Sequence, residues 1–229
     1  MKKLAAVLFA LVTATGFAAV PLTQASAQSR EQEVVDRSTE VIEHLHRGHE
    51  ETAVKARELL HHARAVLIIP SLKKGGFIFG AQGGSGVLVA RQGANDWSQP
   101  AFYGMGAGSF GLQIGFEVSR VVLIIMNDHA LNALMENKVK LGAEAGLAIA
   151  TIGGGAEAST TTHGGADIYV IAESKGLFGG VAVQGGIVGP QHDRDAAYYG
   201  HRATTRDIIM RRNTSNPGAN ALQTAMDGI

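Results

Sequence analysis

The residues best equipped for chemistry are three histidines, His44, His46 and His49, crowded into six positions. Imidazole is the commonest metal ligand, so this cluster is where a zinc or nickel site would be sought. His46 and His49 could share one helical face at i, i+3 spacing, but Gly48 between them is a natural helix end. Nothing in the sequence identifies the oriented outer-shell partners that a metal site needs. The stronger reading is solvated imidazoles near the negative end of a helix dipole, with no metal bound.

Two glycine-rich segments imitate nucleotide loops. Gly106-Ala-Gly-Ser-Phe-Gly111 has the G-x-G-x-x-G spacing. However, Leu112 to Val118 alternates like a strand where the helix holding a pyrophosphate should begin. Lys73-Lys-Gly-Gly76 and the run Gly80 to Gly86 hold glycine and lysine in the wrong order for a phosphate loop. No G-x-S-x-G elbow and no H-E-x-x-H helix is present. With no cysteine, disulfides, thiolate catalysis and Cys-ligated metals are all removed. These absences point away from an enzyme, and neither a cofactor nor a nucleotide is expected.

Binding at a surface is what remains. Lys73 and Lys74 adjoin Leu72 and Phe77, and Lys175 adjoins Leu177 and Phe178. Cations beside exposed apolar side chains can engage an anionic membrane, at about 1 kcal/mol per nearby charge. Lys73, Lys74, Lys175, Phe77 and Phe178 are therefore the candidate lipid-contacting residues, each lysine expected in a turn between strands. Solvated turn lysines are the plainer alternative. Ser174-Lys-Gly176 and Asp193-Arg-Asp195 read as solvated polar turns.

These residues sit on elements that the pattern outlines. Lys2 and Lys3, the uncharged stretch Leu4 to Ala19, and Ala25-Ser-Ala27 have the form of a cleavable signal peptide over residues 1–27. An exported protein of the periplasm or the cell exterior is the expectation, and no cysteine follows the apolar stretch to carry a lipid. Without Lys2 and Lys3 the chain holds 18 basic against 20 acidic residues, a net charge of −2, which gives no footprint for nucleic acid.

Residues 28–229 read as one domain, with a helical part at 28–64 and a β-rich part at 65–229. Val34, Ser38, Val41, Ile42 and Leu45 follow helical spacing up to a break at Gly48, and a second helix runs from about Glu50 to Ala63. Val66 to Ile69 is a strand ahead of Pro70. Of the 30 glycines only two precede position 75, and short β-prone segments follow between the later ones. Gln113 to Met126 reads as two strands bent near Ser119-Arg120. Asn127 or Asp128 caps a helix with Ala130, Leu131, Leu134 and Met135 on its apolar side. The class is α+β: a glycine-rich, mainly antiparallel sheet, closed or strongly coiled and barrel-like, with two N-terminal helices and further flanking ones.

Several segments resemble the SYLF domain family in order along the chain. They are Leu67 to Arg91, Trp97-Ser-x-Pro-Ala-Phe102, Gly108 to Gly115, Val122-Leu-Ile-Ile-Met-Asn127, Leu141-Gly-Ala143, Ser174 to Gly180 and Tyr198-Tyr-Gly200. The resemblance runs from about Val34 to Met226. It implies a non-enzymatic module that binds membrane lipids, notably phosphoinositides, and in fungal members actin. Lys74 and Lys175 are the positions that carry over. The family's basic N-terminal segment does not, because Glu31 to His49 is rich in Glu and His. The expected partner is an anionic lipid surface of the envelope, and an envelope protein is the alternative.

Overall fold

A computed structural model describes residues 22–76, 79–110, 115–141, 147–152, 165–174, 177–179 and 185–228. Two helices lead, α1 (Leu22–Arg47) and α2 (Glu51–His61). The break falls at Gly48, as the sequence indicates. Strands β1 (Ala65–Gly76), β2 (Phe79–Gly93), β3 (Asp96–Trp97), β4 (Ala101–Phe110) and β5 (Gly115–Ile125) follow. Next come α3 (Asp128–Glu136), β6 (Val139–Lys140), β7 (Ile149–Ile152), β8 (Ile168–Ser174), β9 (Leu177–Gly179) and β10 (Ile187–Pro190). The chain ends on α4 (His192–Tyr199), a π-helical turn Asp207–Arg211, a 3-10 turn Pro217–Ala219 and α5 (Asn220–Asp227). Asn127 caps α3 through a side chain that accepts from the Ala130 amide.

All ten strands belong to one sheet in the order β6-β10-β4-β2-β1-β5-β8-β7, with β3 on β2 and β9 on β8. Every pairing is antiparallel except β7 with β8, so the sheet is mixed. It is strongly curled into a half-barrel. The path ends on β6 and β7, so of the two forms expected, closed or coiled, the described strands take the coiled one.

Alternation along the strands builds two cores on opposite faces. Val66, Ile68, Val87, Val89, Phe102, Val122 and Ile124 face the helical layer of α1, α2, α4 and α5, including Ile42, Leu45, Leu60, Tyr198 and Leu222. Leu67, Ile69, Leu88, Tyr103, Leu123 and Val170 face α3 and the π-helical turn, through Leu131, Leu134, Ile208 and Ile209. Each such aliphatic side chain, fully removed from water, contributes about 1.5–3 kcal/mol. A strand buried on both faces reads as an unbroken apolar run, which is why Val66-Leu-Ile-Ile69 shows no alternation.

Three expectations are corrected. Lys73 and Lys74 are not in a turn, because β1 continues past Pro70 to Gly76. A bulge makes this possible: the register with β2 shifts between Ile68 and Lys73, and with β5 between Ile69 and Leu72. The missing proline amide falls where the ladder is already interrupted. Gln113 to Met126 holds one strand rather than two, since Gly115–Ile125 runs through Ser119 and Arg120 without a break. Asp193-Arg-Asp195 is not a solvated turn but the first part of α4, with Asp195 completely buried.

Candidate functional site

Beyond the bulge the strands outrun the helices that cover one face. Cross-strand partners there share a side of the sheet, so register gives the make-up of this surface. One rung reads Val118, Lys73, Gly83, Gly106, Ile187, Lys140 from β5 across to β6. The next reads Phe116, Gly75, Ala81, Gly108. None of these positions is acidic. Parity places them on the face that carries Val66 and Val122, the face under α1 and α2.

The outcome is a trough. Its middle strands present glycine and alanine, while its sides carry apolar and cationic side chains. Phe116 is 72% exposed, Val118 43% and Ile187 48%, three of the five large apolar side chains that are exposed among the described residues. Lys73, Lys138 and Lys140 are exposed around them. On the β4–β10 side the trough deepens into a groove of about 540 Å3, whose lining includes Gly104, Gly106, Gly108, Lys138, Ile187 and Gln191.

Steric need explains some of the glycines and not others. A Cβ on Gly86 would collide with the carbonyl oxygen of Ile68, and one on Gly84 would stand 2.9 Å from Ile69 Cγ2. A Cβ on Gly83 or Gly106 would meet nothing closer than 3.9 or 3.7 Å, and one on Gly108 nothing within 4 Å. Glycine in a strand costs about 0.5–1 kcal/mol relative to alanine. At these three positions that cost has no compensating close approach, so the open floor itself is what they provide.

Of the candidate lipid-contacting residues, Lys73 lies on the trough face, opposite Val118, and Lys74 is directed to the other face, opposite Glu117. Phe77 and Lys175 lie outside the described residues, and Phe178 is placed in β9 on the backbone alone. Phe116, Val118, Ile187, Lys138 and Lys140 escaped the sequence reading. The i, i+2 spacing of Phe116 and Val118 was legible, but it reads equally as a buried face.

The histidines go separate ways. His44 Nε2 lies 3.3 Å from Glu173, a buried carboxylate that Arg120 also contacts at 3.0 Å. His46 packs toward Gly228. Burial, and next the Arg57 guanidinium, hold its pKa below the usual imidazole value. His49 lies past the end of α1, exposed. Among the described residues no group of three His, Cys, Asp or Glu side chains is placed to hold a metal. No described helix is long and apolar enough to cross a membrane.

A second polar cluster ties α4 to its surroundings. Asp195 Oδ1 accepts from the Phe102 amide at 2.8 Å, and its other oxygen lies 3.4 Å from His192 Nδ1. Arg194 lies 3.0 Å from the buried Glu31 of α1. Burial pushes the Asp195 carboxyl up to about 6 and also raises Glu31, the nearby Arg194 notwithstanding. These groups face the protein interior and serve to position α1 and α4.

The family model described as "Ysc84: Las17-binding protein actin regulator" matches residues 106–229, from the trough floor to the C-terminus. Protein YSC84 of Saccharomyces cerevisiae is 32% identical over 167 residues, 72% of this chain and 36% of its own length. LAS seventeen-binding protein 3 of the same organism is 30% identical over 168 residues, again 72% and 36%. The human SH3 domain-containing YSC84-like protein 1 is 31% identical over 144 residues, 62% of this chain and 42% of its own. The chain thus spans less than half the length of these curated relatives. On the family model and the ordered motifs together, this chain belongs to the Ysc84 family, the family of the SYLF domain.

Proposed function

We propose that the trough end of the sheet is a peripheral attachment surface for anionic phospholipid, and that the protein works by binding rather than by catalysis. The observation that carries this is the exposed pair Phe116 and Val118 beside Lys73, on rungs whose described residues include no carboxylate. Lys73 and Lys138 would together contribute about 2 kcal/mol at an anionic surface. Insertion of Phe116 and Ile187 adds an apolar term of about 25 cal/mol per Å2 buried. Such an attachment is reversible and weakened by salt. With the signal peptide read from residues 1–27, the membrane met is one of the cell envelope, from the periplasm or the exterior.

Co-sedimentation with vesicles tests this reading. Binding to anionic but not zwitterionic vesicles, diminished by salt and lost in Lys73→Glu and Phe116→Ser, is the expected result. Equal binding by the two variants would overturn the assignment of the surface.

A protein partner is the second reading. It is favoured by the family's description as a Las17-binding actin regulator, and the same exposed apolar side chains could serve it. Salt-insensitive capture of one envelope protein, without vesicle binding, would put it first.

A further inference from the structure

We infer that the β4–β10 groove of the trough holds a single long-chain fatty acid, its acyl chain along the glycine floor and its carboxylate at Lys138. This rests on the reading of the trough as a lipid-binding surface and makes it more specific: one chain taken up, beyond contact with a bilayer.

The groove's size comes first. About 540 Å3 falls within the roughly 300–1,000 Å3 of small-molecule sites. A flat membrane contact needs exposed side chains and no recess. A chain laid in the groove needs a floor without Cβ atoms, and Gly106 and Gly108 supply one although each has room for a side chain. The apolar wall is Ile187, half exposed beside its strand partner Gly106.

The polar end comes next. The Lys138 side chain passes over Gly189, with its Cγ 2.6 Å from where a Cβ would stand, so glycine there admits the lysine stem to the groove. Gln191 closes the groove beside it, lying over Gly104 in the same way at 2.8 Å. A cation at one end of a recess, with no carboxylate among the described residues of β4, β6 and β10, is complementary to a chain carrying one terminal negative charge.

The test is titration of the whole protein with a fluorescent polyene fatty acid below its aggregation concentration, beside vesicle co-sedimentation of the same preparations. Saturable binding of one molecule per chain is expected. Gly106→Leu with Gly108→Leu should lower that affinity at least tenfold while leaving vesicle binding intact, because leucine fills the floor yet keeps the rim. Gly106→Ala, whose methyl leaves most of the groove open, should bind within a factor of about three of the parent and so report on folding. Lys138→Glu should weaken the acid at least tenfold and leave the matching fatty alcohol unaffected. Vesicle binding without fatty-acid binding would overturn the inference and leave the proposed surface standing. Loss of both in the parent protein would overturn both. Undiminished fatty-acid binding in the double leucine variant would overturn the groove, and equal loss of acid and alcohol in Lys138→Glu would overturn the placement of the carboxylate.

Discussion

The carboxylate of Asp195 in α4 accepts a hydrogen bond from the backbone amide of Phe102 in β4, 93 residues away in the chain. Around this acid stand His192 on its own helix and Glu31 on α1. Its folded pKa of about 6 lies above the ordinary value near 4, so the native state holds the proton more tightly than the unfolded chain. The resulting stability is fully present below about pH 4 and is lost as pH rises through about 6. Asp195→Asn should remove about 3 kcal/mol of that fall. Urea midpoints at pH 4 and pH 7.5 check it, and an unchanged difference between them would refute it.

Gly86 and Gly108 lie on neighbouring strands and should respond oppositely to the same substitution. A methyl at Gly86 would sit 2.7 Å from the carbonyl carbon of Ile68 and from Ile69 Cδ1, so β1 would have to move. Gly86→Ala is expected to cost about 3 kcal/mol or more. Gly108→Ala meets open space and should gain up to about 1 kcal/mol from a less flexible unfolded chain. Chemical denaturation of both variants gives the comparison.

Arg91 fastens the end of α2 to the sheet. Its guanidinium donates to the carbonyls of Leu60 at 2.9 Å, Ala63 at 3.0 Å and Ala94 at 3.0 Å, and lies 4.4 Å from the centre of the Trp97 ring. Lysine keeps the charge but cannot reach three carbonyls in three directions. Arg91→Lys should destabilise by about 1–3 kcal/mol, seen as a lower thermal midpoint with a quenched or shifted Trp97 emission.

Glu173 is buried against Arg120 and His44. Removing the arginine alone leaves a desolvated carboxylate with His44 beside it, so Arg120→Met should cost about 3 kcal/mol. Adding Glu173→Leu should recover most of that loss, because an apolar pair of similar volume has no charge to desolvate. A double-mutant cycle in denaturant measures the recovery, and additive losses would contradict the pairing.

Local chemistry was the part of this fold open to reading from sequence. The break at Gly48, the Asn127 cap and the apolar run of β1 follow from residues that act on their immediate neighbours. The continuation of β1 through Pro70 did not, because proline ends a regular ladder and only the register of two partner strands shows the bulge. Helix α4 was hidden for a similar reason: His192 to Tyr199 has little apolar periodicity, and Asp195 is held by a distant amide. Of the residues singled out in the sequence, Lys73 is the one that the described strands place on the trough face. The site's other members gather only when β4, β5, β6 and β10 come into register.

The bulge at Pro70-Ser71 has a mechanical meaning. Upstream of it, β1 is held between two cores; downstream, the same strand is the central beam of an overhang with the trough on its upper side. A force on Lys73 or its neighbours passes along a single strand into the segment buried between the two cores, with no intervening loop. The overhang therefore moves with the core as one lever, and whatever grips the trough grips the whole domain.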